Sequence, residues 1–152
     1  ISDRDISDWQ EIQKRLKLLV KEQLPWLEEL GRQILQILNF ETECVLIKGL
    51  SFHLYKRPIA DHLYLALAAH LGQFTVHDNS KKVIWDVTPR PFPSNRKLTF
   101  SEINSEAPLH IDSAFRSQPE KYFGLFALNS AKEGGHSVIV KAKEVIESLS
   151  SS

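Results

Sequence analysis

The apolar residues of this chain change their spacing part-way along, and that change limits the architectures open to it. Over residues 8–39 they recur every three or four positions: Trp9, Ile12, Leu16 and Leu19, then Leu27, Leu30, Ile34 and Leu38. This period predicts amphipathic helix with one face toward a core. Pro25 interrupts it. A proline removes an amide donor and clashes with the preceding turn, so two helices, broken or kinked there, are predicted. Residues 58–72 predict a further helix, with Pro58 in its first turn and Gly72 at its end. The remaining apolar runs are short and β-rich: ECVLIK (43–48), VIWDV (83–87), KYFGLFALN (121–129) and HSVIVKA (136–142). Gly134 and Gly135 predict a turn between the last two, and a final helix is predicted from near Ala142. A helix-rich first half followed by a strand-rich second half excludes the regular alternation of a doubly wound sheet.

The bulk numbers narrow the function classes. Lys plus Arg and Asp plus Glu are each 19, so the formal net charge is zero. That argues against a nucleic-acid or anionic-membrane binder, which needs a surplus of positive charge. No apolar run approaches spanning length and no signal-peptide core is present, so no membrane segment is expected. With Cys44 as the single cysteine there is no internal disulfide, and a reducing, cytoplasmic setting is expected. A chain of 152 residues can bury one core, so a single domain is expected, with a helical segment over 1–40 and the rest over 41–152. The chain begins at Ile1 and has no methionine, which points to a piece of a longer protein.

The residues that carry chemistry sit in APLHIDSAF, 107–115. In a strand, positions i and i+2 share a side, so His110 and Asp112 are expected to face one cavity. Imidazole nitrogen plus carboxylate oxygen suits Fe(II), as two of the three ligands of a facial triad. A His-x-Asp pair alone arises easily by chance, so its surroundings must decide. His62 and His70, on the 58–72 helix, read as surface or packing residues.

Residues 109–149 resemble the TauD/TfdA-like (taurine dioxygenase) family of Fe(II)- and 2-oxoglutarate-dependent oxygenases. The resemblance is carried by L-H-x-D-x-x-F at Leu109, His110, Asp112 and Phe115, by Pro119, and by G-G-x-S at Gly134, Gly135 and Ser137. It extends more weakly over ECVLIKGL (43–50) and ALAAHLG (66–72). It implies an α+β chain with a double-stranded β-helix (jelly-roll) core and the N-terminal helices packed outside. His110 and Asp112 are implied as metal ligands, Ser137 as a hydroxyl that hydrogen-bonds 2-oxoglutarate, and Glu106 as a substrate-facing side chain. Arg116 follows the motif and is a further substrate-binding candidate or a surface charge. The implied cofactor and cosubstrates are Fe(II), 2-oxoglutarate and O₂, and the implied reaction hydroxylates a small-molecule substrate while forming succinate and CO₂.

The family pattern also needs a distal histidine and an arginine that pairs with the far carboxylate of 2-oxoglutarate. The only later histidine is His136, and no arginine follows Arg116. If Ser137 points into a barrel, strand alternation turns His136 outward. The jelly roll is therefore expected to be incomplete here, closed by an absent C-terminal half or by a second chain or protomer. Two other readings stand beside the oxygenase. One is a non-catalytic or degenerate assembly or binding module that kept the fold; the other is a cupin-type metal enzyme, for which His77 is the nearest upstream histidine. The proline-rich loop 88–108 is a candidate lid.

Overall fold

The computed structural model describes residues 6–76, 82–89, 91, 100–103 and 106–150. Two helices, α1 (Ile6–Gln23) and α2 (Pro25–Phe40), replace the long apolar-periodic segment, parted by Leu24. Pro25 occupies the first turn of α2, where its missing N–H has no intrahelical partner to lose. In α1, Asp8 in the first turn and Lys21 in the last complement the helix dipole. The third helix, α3, spans Arg57–Leu71 after a short 3₁₀ turn at Ser51–Leu54, and α4 spans Ala142–Ser150.

The core lies where α1, α2 and α3 meet. Trp9, Leu16 and Val20 of α1 pack with Leu27 and Ile34 of α2 and Leu65, Ala66, Leu67 and Ala69 of α3, joined by Phe52 and Val76. The expected α1 stripe is off by one position, since Val20 is buried and Leu19 is 52% exposed. Eleven residues at roughly 100° each complete about three turns from Trp9 and return Val20 beneath it, whereas Leu19 falls about 80° aside. Gly31 lets α2 close on α3: a Cβ there would lie 2.7 Å from the His70 Cβ. His70 is thus a packing residue.

Gln13 is buried among these apolar side chains. Its amide nitrogen donates to the carbonyls of Ala69 (3.0 Å) and Gly72 (2.6 Å), and its amide oxygen accepts from the Phe74 N–H at 3.2 Å. Those carbonyls are among the orphan acceptors at a helix C-terminus. Gly72 does end α3 but with φ 179°, an extended conformation, so Gln13 supplies what a left-handed glycine cap supplies elsewhere.

The jelly-roll expectation is overturned. Among the described residues there is no strand, and no backbone ladder links 43–48, 83–87, 121–129 or 136–142. Nor are the N-terminal helices an outer layer; they form the core with α3. The physical reason is that β-propensity expresses packing against neighbouring strands and carries no ladder by itself. Among the described residues these runs have no strand beside them, and Leu46, Val138, Ile139 and Val140 are exposed. Cys44, in the first of these runs, is exposed as well.

Side chains hold the later segments to the helices instead. Arg57 pairs with Asp61 (2.6 Å) on its own helix and with Asp86. The Trp85 Nε1–H donates to Ser101 Oγ at 2.8 Å and the Thr88 N–H to the Ser101 carbonyl at 2.9 Å. Lys121 and Tyr122 both donate to Asn39 Oδ1 at the end of α2, at 3.0 and 2.6 Å. Tyr64 of α3 donates to the Gly124 carbonyl at 2.8 Å and stacks on Phe126, with ring centroids 5.3 Å apart. No helix among the described residues is long and apolar enough to cross a membrane.

Candidate functional site

His110 and Asp112 lie on the exposed segment that begins beyond Pro108. The strand alternation that was to bring them together is absent; the chain turns over Asp112–Phe115, starting at the second of the pair. Ser113 takes φ 53°, the left-handed region, and the Arg116 N–H donates to the Ser113 carbonyl at 2.9 Å. A left-handed serine costs about 1 kcal/mol or more, offset here by the closed turn.

His110 Nε2 lies 3.4 Å from Asp112 Oδ1. On the other side of the ring, Nδ1 lies 2.8 Å from the Pro108 carbonyl oxygen. A carbonyl only accepts, so Nδ1 carries the proton and, in the neutral ring, Nε2 keeps its lone pair. Backbone anchoring of the far nitrogen is how metal-ligating histidines are commonly oriented. Two acceptors facing each other at this range repel unless a proton or cation lies between them. Neighbouring ligand atoms at about 2.1 Å from an octahedral ion are about 3.0 Å apart, so the observed spacing lies within a few tenths of an ångström of a shared metal. Both side chains are about half exposed.

The pair supplies two positions. Among the described residues no group of three His, Cys, Asp or Glu could hold a metal ion. His77, and the greater part of the candidate lid at 90, 92–99 and 104–105, lie outside the described residues. His136 is exposed on the run that follows the glycine pair. With no strand there, alternation no longer sets its direction.

The remaining candidates divide. Gly134 and Gly135 have φ 69° and 70°, which glycine adopts without strain, but the chain bends just before them, at 132–133, and among the described residues no backbone hydrogen bond closes a turn across them. A Cβ on Gly135 would also meet that of Ala131 at 2.8 Å. Ser137 follows on exposed chain with no regular secondary structure, and Glu106 is exposed before the motif. Among the described residues neither bonds to the His110–Asp112 pair. Arg116 is turned inward: its Nη1–H donates to Glu120 at 2.9 Å and its Nη2–H to the Val76 carbonyl at 3.4 Å.

Sequence reasoning missed Asn39 and Tyr64, which bond the segment after the motif, and Gln13, which caps the end of α3. Gln13 left a trace, as a polar residue four positions after Trp9 on the buried face. Burial pushes the Tyr64 hydroxyl above its ordinary value, so it stays a neutral donor.

The motif and its surroundings can now be set beside known proteins. The model of the taurine catabolism dioxygenase TauD, TfdA family matches residues 3–152. The chain belongs to that family. No curated protein and no solved structure matches it. Membership of this dioxygenase family covers the helical body as well as the histidine–aspartate turn, so both belong to one family pattern.

Proposed function

We propose that this chain carries part of the active site of an Fe(II)- and 2-oxoglutarate-dependent dioxygenase that hydroxylates a small molecule. The observation that supports it most is the 3.4 Å approach of His110 Nε2 to Asp112 Oδ1 in a member of the TauD, TfdA family. His110 and Asp112 would hold the ion, with the Pro108 carbonyl fixing the imidazole tautomer. The bound metal would supply the oxidative chemistry, in which 2-oxoglutarate, O₂ and a substrate C–H become succinate, CO₂ and C–OH. Ser137 would hydrogen-bond the cosubstrate carboxylate and Glu106 would face the substrate. The third ligand and an arginine for the far carboxylate would come from outside the described residues, on a further segment or a second chain.

Incubation of the full-length protein with Fe(II), labelled 2-oxoglutarate and candidate substrates tests this. Succinate is expected, and His110→Ala or Asp112→Ala is expected to reduce it to background. A folded, iron-loaded protein that forms none overturns the proposal. A second reading, a non-catalytic binding module, is favoured by the absence of a three-ligand cluster among the described residues. Stoichiometric iron held by three protein side chains removes it.

A further inference from the structure

The residues around the metal-binding pair are nearly all open to solvent: Leu109 is 70% exposed, Ile111 69% and Phe115 83%. Side chains placed like this do not hold two ligands in register. Arg116 is the contrast, with a side chain only 21% exposed. It acts on both sides of the turn. Its N–H closes the turn on the Ser113 carbonyl, and its guanidinium reaches the carbonyl of Val76, which is buried in the helical core. Glu120 holds the other arm of the fork at 2.9 Å. Glu120 is in turn next to Lys121 and Tyr122, which bond Asn39 of α2.

We propose that Arg116 is a positioning residue for the His110–Asp112 pair, fastening the turn that carries it to the core at Val76; this rests on the metal-binding reading above. The guanidinium suits the task because its planar fork serves two acceptors in fixed directions, which a lysine ammonium does not. With both arms engaged inside the chain, Arg116 is not presented to a substrate. Residues that orient metal ligands from one step away change metal affinity by about 10–100-fold when removed.

The test is a Co(II) titration of the full-length protein followed by visible absorption. Wild type is expected to give a saturable band that His110→Ala and Asp112→Ala abolish. Arg116→Ala is expected to weaken Co(II) binding about tenfold or more and to alter the band, with helical content and Tm unchanged. Arg116→Lys is expected to fall between the two, keeping the charge and the Glu120 pair without the second arm. Glu120→Gln, which leaves the arginine in place, gives a milder loss of the same kind and serves if Arg116→Ala fails to fold. Co(II) binding by Arg116→Ala equal to wild type, or a raised KM for substrate with Co(II) affinity unchanged, overturns the inference and leaves the proposed function standing. A wild-type protein with no band dependent on residues 110 and 112 removes the proposed function, and this role with it.

Discussion

Replacing Gln13 by alanine removes a single side chain that serves three backbone groups at the end of α3. The Ala69 carbonyl is buried beside it; the Gly72 carbonyl and the Phe74 N–H are partly buried. A buried acceptor left without a donor costs about 1–3 kcal/mol, and each bond that water can partly replace costs about 0.5–1.5 kcal/mol. Alanine's better helix propensity returns a few tenths. The sum is a loss of about 3 kcal/mol, or about 6–12 °C in Tm for a chain of this size. Urea unfolding followed by helical circular dichroism measures it, with an unchanged m-value confirming that the same surface is exposed. Gln13→Glu is a sharper probe. It keeps an acceptor for the Phe74 N–H but turns a carboxylate toward two carbonyl oxygens at the negative end of α3, so it should be at least as damaging at neutral pH and recover as the carboxyl protonates. A Gln13→Ala protein within 0.5 kcal/mol of wild type refutes the capping argument.

Gly31→Ala should destabilise by about 1–2 kcal/mol, because a 2.7 Å contact between two Cβ atoms costs more in overpacking than alanine gains in propensity; a rise in Tm contradicts the close crossing of α2 and α3. Gly124→Ala would press on the Tyr64 hydroxyl at 2.6 Å, so its cost should shrink in a Tyr64→Phe background, and additive effects in that cycle exclude the contact. Burial holds His70 below its ordinary 6.5, with Glu28 opposing and Lys17 reinforcing the shift. The unfolded chain therefore takes up the proton first, and stability present above about pH 6.5 should decline as pH falls toward the lower folded value, then level off. Urea unfolding at stepped pH should show this decline in wild type and not in His70→Leu; parallel pH profiles reject it.

The helices were legible because their causes are local. Apolar spacing, Pro25 and the Pro58 and Gly72 pair mark α1, α2 and α3 without reference to anything distant. The one-position slip from Leu19 to Val20 came from reading a spacing of three as equal to one of four, though only Val20 returns beneath Trp9. The β-rich runs misled because a strand is a property of two segments: VIWDV or HSVIVKA states a preference, and only a neighbour turns it into a ladder. At the site, residue types were readable and geometry was not. His110 and Asp112 meet just ahead of a turn at Ser113, a residue whose positive φ no pattern announces. The part played by Arg116 depends on Val76, forty positions away in sequence, and no local reading reaches it.

Everything functional here turns on whether His110 and Asp112 share one divalent ion. Equilibrium dialysis of Fe(II) under anaerobic conditions, on the full-length wild type and on Asp112→Ala and His110→Ala, measures that directly. One iron per chain is expected in the wild type and none in either variant, with their helical cores intact. Iron retained undiminished by either variant contradicts a shared ion.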